Sequence, residues 1–267
     1  MTDAAPHDAW QAGDSYDLYM GRWSRQIAPQ FLQWLSAPAG ADWLDVGCGT
    51  GALSAAILSS CAPHGLVAVD PSAGFLEKAR ANVTDPRIEF STADAQSLPI
   101  ETASKDVVVS GLVLNFVPDR AKALAEMRRV ARPGGTIAFY VWDYPGGGVE
   151  FMHVFWVAAE AIDARAAGLN EARRFAFCTA DALRREMRDA GFATAEVEAI
   201  EAPAVFADFA DFWRPFTLGA GPAPSYCASL DPAVREALRS NLDEALPRRA
   251  DGSIATTLRA WAVRAAV

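Results

Sequence analysis

The chain has 267 residues, of which 51% are hydrophobic and 21% charged, with a formal net charge of −9 at pH 7. That length accommodates one large domain or a core with a substantial insertion, and the composition is that of an ordinary soluble globular protein. The acidic balance argues against a nucleic-acid partner, because phosphate binding needs a basic face, and no apolar run approaches the ~18 residues of a membrane span.

After a polar start, GDSYDLYMGRWS is dense in aromatics and leads into a predicted helix from Ser24, a candidate N-cap, to Leu35. Ile27, Phe31, Leu32 and Leu35 give that helix an apolar stripe at 3.6-residue spacing. From Trp43 onward, predicted strands and helices alternate. Strands fall at 43–46, 66–69, 88–91, 106–110 and 136–142. Helices fall at 72–82 and after Pro118-Asp119, where Leu124, Met127 and Val130 face inward. Alternation of this kind predicts a parallel sheet with helices on both faces. Beyond residue 142 the rhythm changes. The breaker cluster Tyr144-Pro145-Gly146-Gly147-Gly148 precedes a helix over 151–167. Further helices are expected at 179–190 and 231–246, and strands at 195–200 and 253–263.

The most informative stretch is Leu44 to Gly51, LDVGCGTG. A strand ending in Asp45 runs into Gly47, Gly49 and Gly51 and then a helix-forming ALSAAIL. Such a loop places a ligand at a helix N-terminus, at the carboxyl end of a parallel strand. Gly47-x-Gly49-x-x-Ala52 also fits a dinucleotide fingerprint loosely, so the flanking acids decide. A carboxylate at Asp45 would repel a pyrophosphate and suit a cofactor carrying an amine and a sulfonium. Asp70, ending the second strand, is placed for ribose hydroxyls, and Asp94, ending the third, for an adenine amino group.

Leu44–Gly51, Asp70-Pro71-Ser72, Thr92-Ala93-Asp94-Ala95 and the RVARPGG run at Arg129–Gly135 resemble the class I S-adenosylmethionine-dependent methyltransferases. Within them the pattern is similar to the ubiquinone/menaquinone-biosynthesis-like, small-molecule branch, over about residues 16 to 142. The resemblance implies an α/β fold: a Rossmann-like seven-stranded methyltransferase sheet with helices on both faces and a helical lid, its last strand antiparallel between the fifth and sixth. It implies S-adenosyl-L-methionine as cofactor, with Gly47, Gly49 and Gly51 along the methionine part and Asp45 at its amino end. Asp70 with Pro71 would take the ribose, Asp94 and Ala95 the adenine, and the backbone of Ser110 and Gly111 the methionine side. Tyr16, Tyr19 and Arg22 are the candidates for the cofactor carboxylate.

The expected organisation is an N-terminal cofactor-covering segment (1–40), the cofactor core (41–143, continued at 179–202), insertions at 144–178 and 203–250, and the closing strand (251–267). The aromatic-rich insertions are expected to form a lid over a small, apolar or aromatic acceptor, with Gly146 to Gly148 as its hinge. Asn115, Tyr140, Asp143 and His153 are the candidates for a catalytic group, none of them an assured base. The alternatives are a non-catalytic cofactor-binding protein and a nucleotide-dependent oxidoreductase, the latter disfavoured by Asp45. Four cysteines without C-x-x-C or metal spacing predict reduced thiols and no metal. With an N-terminus unlike a signal peptide, they predict a cytoplasmic protein. The oligomeric state is not legible in the sequence.

Overall fold

A computed structural model describes residues 17–219 and 221–267. Helix α1 (Arg22–Leu35), preceded by a π-turn over Asp17–Gly21, leads into the alternating core. That core runs β1 (Asp42–Val46), α2 (Ala52–Ser60), β2 (Gly65–Asp70), α3 (Ala73–Asn82), β3 (Ile88–Thr92), β4 (Lys105–Gly111), α4 (Arg120–Val130) and β5 (Ala131–Trp142). There follow α5 (Glu150–Ile162), the four-residue α6 (Glu171–Arg174), α7 (Ala180–Asp189) and β6 (Glu196–Phe206). The chain ends with α8 (Phe209–Trp213), α9 (Pro222–Ser229), α10 (Pro232–Ala245) and β7 (Ile254–Ala266).

The seven strands form one sheet in the order β3-β2-β1-β4-β5-β7-β6. Neighbours from β3 to β5 are parallel, and β7 lies antiparallel to β5, from Thr136↔Ala266 to Trp142↔Ala260. This is the topology that the resemblance implies. Val107, Val108 and Val109 of β4 are buried, as a central parallel strand covered on both faces requires.

Local chemistry explains most element ends. The side chains of Ser72, Asp119 and Thr179 accept backbone N–H bonds at the starts of α3, α4 and α7. Ser24 does not cap α1: it is buried inside that helix, which begins two residues earlier. The helix expected over 151–167 stops at Ile162, where Asp163 takes the N-cap role for a separate 3-10 turn over Ala164–Gly168.

By internal contacts the chain divides into two compact units. Unit 2 comprises Ser24–Trp142, Cys178–Ile200 and Ala260–Val267. Its strand starts are tied by Arg132, which donates to Asp106 at 2.6 Å and to Asp42 at 3.1 Å, while Asp106 accepts the Asp42 N–H. Among the described residues, unit 1 comprises those up to Trp23 together with Asp143–Phe177 and Glu201–Arg259. Its interior is aromatic. Phe155 and Phe216 stack at 4.3 Å with 5° between their planes, Phe151 and Phe212 pack tilted against Phe216, and Phe206 lies edge-on to both Phe151 and Phe212. Those five rings are fully buried, so they fill the unit's own core.

Candidate functional site

Where β1 ends, the backbone turns through Gly47 (φ +77°) and Gly49 (φ +53°) into α2. The loop is fixed from below, since the N–H groups of Gly47 and Cys48 both donate to the Val69 carbonyl of β2, at 2.7 and 2.9 Å. The two glycines have different reasons to be glycine. A Cβ on Gly47 would stand 2.5 Å from a methyl of Val113, so that position is closed by packing. A Cβ on Gly49 would meet nothing within 4 Å, and Gly49 is the one residue of 43–50 that is not buried. Gly49 therefore forms an open cradle in left-handed backbone.

Asp45 lies beneath that cradle with no exposed surface. One carboxylate oxygen accepts the Ser54 hydroxyl at 2.6 Å, and the other has no hydrogen-bond partner. Burial pushes its pKa up to about 7, with the charge of Asp70 adding to the effect and the Ser54 bond opposing it. Asp70 bridges the two loops: its oxygens accept the N–H of Gly49 at 2.9 Å and of Ser72 at 2.8 Å. Its pKa is also raised, chiefly by burial, against the two backbone bonds. Each oxygen keeps a second lone pair for a ligand hydroxyl. Pro71 is exposed beside it.

Asp94 follows β3 with an exposed carboxylate that accepts the backbone and side-chain N–H groups of Gln96, while Ala95 is buried. At the end of β4 the buried Ser110 hydroxyl donates to the Val46 carbonyl at 2.8 Å, joining two strand ends. Gly111 leaves room for the Tyr140 ring, whose hydroxyl would lie 2.7 Å from an added Cβ. The next residue, Leu112, has φ +63°, an uncommon conformation for a branched side chain, and its N–H donates to the Tyr140 carbonyl. Asn115 sits on the 3-10 turn Leu114–Phe116, only 6% exposed, and its side-chain N–H₂ has no partner.

The sheet thus brings Asp45, Gly47, Gly49, Gly51, Asp70, Asp94, Ser110, Gly111, Asn115 and Tyr140 into unit 2, at or just after the carboxyl ends of β1 to β5. Tyr19, Arg22, Asp143 and His153 belong to unit 1, and Tyr16 lies outside the described residues. Arg22 bonds Asp211 at 2.9 Å and lies over the rings of Trp23 and Phe206, at 4.0 and 4.6 Å from their centroids. Tyr19 is 1% exposed, its ring edge-on to Phe151 and Phe216. Asp143 organises its own loop: it accepts the Gly146 N–H, its carbonyl accepts the Gly148 N–H, and Arg259 stands 3.6 Å from its carboxylate. Gly146 and Gly148 are pressed against Asp143, so close packing requires them and the segment is a closed turn. Sequence reasoning missed Ser54, Val113 and the backbone at Leu112. Ser54 is nine residues from the acid it contacts, and no periodicity signals that pair.

Residues 44–139 match the family described as Methyltransferase domain. Those residues form a methyltransferase domain. Two curated relatives agree. A malonyl-[acyl-carrier protein] O-methyltransferase of Hahella chejuensis is 33% identical over 126 residues, 47% of this chain and 45% of the relative. A demethylmenaquinone methyltransferase of Clavibacter sepedonicus is 42% identical over 108 residues, 40% of this chain and 43% of the relative. The chain spans about half the length of these relatives. A solved phosphoethanolamine N-methyltransferase of Haemonchus contortus, in complex with S-adenosyl-L-methionine, shares the fold of the methyltransferase domain. Its TM-score is 0.58 at 18% identity, covering 96% of this chain and 56% of that one.

Proposed function

We propose that this chain transfers a methyl group from S-adenosyl-L-methionine to a small-molecule acceptor. The observation that carries the reading is the pairing of an open left-handed cradle at Gly49 with a buried carboxylate oxygen of Asp45 that has no partner. A buried carboxyl with spare acceptor capacity suits a cofactor that brings positive charge, which would hold it ionised, and disfavours one that brings a pyrophosphate. When bound, the cofactor supplies a methyl group already activated by its sulfonium.

In this reading Gly47, Gly49 and Gly51 receive the methionine part, with Asp45 toward its amino end and the backbone of Ser110 and Gly111 beside it. Asp70 and Pro71 take the ribose, and Asp94 and Ala95 the adenine. Arg22 and Tyr19, engaged within unit 1, serve its architecture. Asn115 is the proposed polar contact to the acceptor, because its buried amide donor is otherwise unsatisfied. Alignment of the acceptor for displacement at the methyl group lowers the barrier by orientation. The acceptors named for the two curated relatives do not carry over, since the similarity spans less than half of this chain.

Titration calorimetry with S-adenosyl-L-methionine and with NADH tests the cofactor. Binding of the former alone is expected, and failure of S-adenosyl-L-methionine to bind the folded protein would sink the reading.

A further inference from the structure

We propose that Asp45 gives up a proton as the cationic amino end of the cofactor binds above it, and that Ser54 is the positioning residue that sets the pH of this exchange. The inference rests on the methyl-transfer reading, in which Asp45 lies toward that amino end. The setting of the acid is the first observation. Asp45 has no exposed surface, and it pairs in register with Ala68 of β2 and Val109 of β4, neither of them ionisable. The Ser54 hydroxyl holds one oxygen at 2.6 Å, and the other oxygen is buried without a hydrogen-bond partner. Among the described residues no cationic side chain bonds Asp45. A carboxylate in that setting is costly to bury, so the neutral acid is favoured until a cation arrives.

Ser54 is the second observation. It lies in the first turn of α2, fully buried between Leu53 and Ala55, where alanine would be the better helix former. A serine within a helix commonly bonds a carbonyl one turn back, whereas this one reaches an acid nine residues earlier. Its bond favours the ionised carboxyl and opposes the dominant effect of burial, which leaves the pKa at about 7. Few ionisable groups surround the pair. Asp70, from the end of β2, adds to the upward push on Asp45. The Cys48 thiol of the same loop is held protonated by burial and by both acids, and Arg80 of α3 acts on that thiol. A cation held over the Gly49 cradle therefore decides the charge of Asp45. The carboxyl O–H bond breaks, its proton passes to solvent, and the carboxylate left behind is stabilised by the bound charge. Because Asp45 is enclosed, the two charges attract through the loop in a low dielectric, where water screens them little.

Titration calorimetry on the full chain tests the exchange, with S-adenosyl-L-methionine and methylthioadenosine as probes. The second keeps the adenine and ribose and lacks the amino end and the sulfonium, so Asp70 and Asp94 meet both probes and cancel in the comparison. At pH 7, S-adenosyl-L-methionine is expected to release about half a proton more than methylthioadenosine, read from binding heats in phosphate and Tris buffers. Its affinity is expected to be ~10-fold greater at pH 8 than at pH 6. Ser54→Ala removes the donor and is expected to lose ~10-fold at pH 6 and under ~3-fold at pH 9, a contrast that a merely structural loss would not produce. Should that variant not fold, Ser54→Cys, a weak donor, reads the same shift. Asp45→Asn is expected to abolish the excess proton release. Equal release for the two probes on the parent chain, an excess that survives Asp45→Asn, or a pH-independent effect of the Ser54 variant would each overturn the inference. Binding of S-adenosyl-L-methionine without excess release removes the exchange and leaves the methyl-transfer reading standing, whereas failure to bind at any pH removes both.

Discussion

At the residue scale, two glycines of one loop make separable predictions. Gly47→Ala forces a methyl into Val113 in left-handed backbone, and is expected to destabilise the protein by ~2–4 kcal/mol in chemical denaturation. Gly49→Ala incurs only the backbone strain, about 1 kcal/mol, and is expected to fold while losing cofactor affinity in calorimetry. If Gly49→Ala binds S-adenosyl-L-methionine as the parent does, the open cradle is not the cofactor site. Asp45 makes a pH prediction. Its folded pKa, about 7, lies above the ordinary carboxyl value of 3.8, so the folded state binds the extra proton. The stability this contributes is full below the ordinary value and is lost as pH rises through about 7. Asp45→Asn, which keeps an acceptor for the Ser54 hydroxyl, is therefore expected to gain stability on the parent at pH 8, by ~1–3 kcal/mol, and to gain little at pH 4. Denaturation midpoints at the two pH values check this, and an equal effect at both would contradict it.

Elements hold the site by clasps at both ends of the strands. At the carboxyl ends, Ser110 joins β4 to β1 and Asp70 joins the loops after β1 and β2, so each acid or hydroxyl also fixes backbone. Asp70→Ala is accordingly expected to weaken cofactor binding at least ~10-fold and to cost ~1–3 kcal/mol of stability, because two amides lose their acceptor. An unchanged cofactor affinity in the folded variant would show the ribose assignment to be wrong. The RVARPGG run has a structural role that its family resemblance does not reveal. Arg129 donates to the carbonyls of Leu98 and Ile100 and to Glu126, and so pins the segment between β3 and β4 onto α4. At the opposite strand ends, the Asp42 and Asp106 carboxyls are held below their ordinary range. The His64 bond is the largest cause for Asp42 and the Asp42 N–H for Asp106, with Arg132 bonding both. Their contribution is present above the ordinary carboxyl range and lost as pH falls through the lowered values. Arg132→Leu is expected to raise the midpoint pH of acid unfolding, followed by circular dichroism, and an unmoved midpoint would count against the clasp.

Across the whole molecule, stability is divided between two cores of different composition. Unit 2 rests on a central parallel sheet, and unit 1 on rings packed against rings. Phe216→Ala removes a fully buried ring stacked on Phe155, and is expected to cost ~3–5 kcal/mol by denaturation. Because no cofactor contact is assigned to that ring, the folded fraction should bind S-adenosyl-L-methionine with unaltered affinity. A parallel loss of affinity would show that the aromatic core supports the cofactor site.

What the sequence by itself determined is the part written in local order. The alternation of elements, the glycine loop and the acids at successive strand ends follow from spacing along the chain, so Asp45, Asp70 and Asp94 were legible from residues a few positions away. The antiparallel last strand was legible through the family resemblance. Only the tertiary structure decided which groups those residues meet. That Gly47 is closed by Val113 while Gly49 is open, that Ser54 holds Asp45, and that the aromatics of the insertions spend their surface on one another are long-range packing outcomes. Glu171 is the sharpest case. In sequence it is an ordinary acid at a helix start, and its burial against the Trp156 indole depends on elements that no local pattern connects.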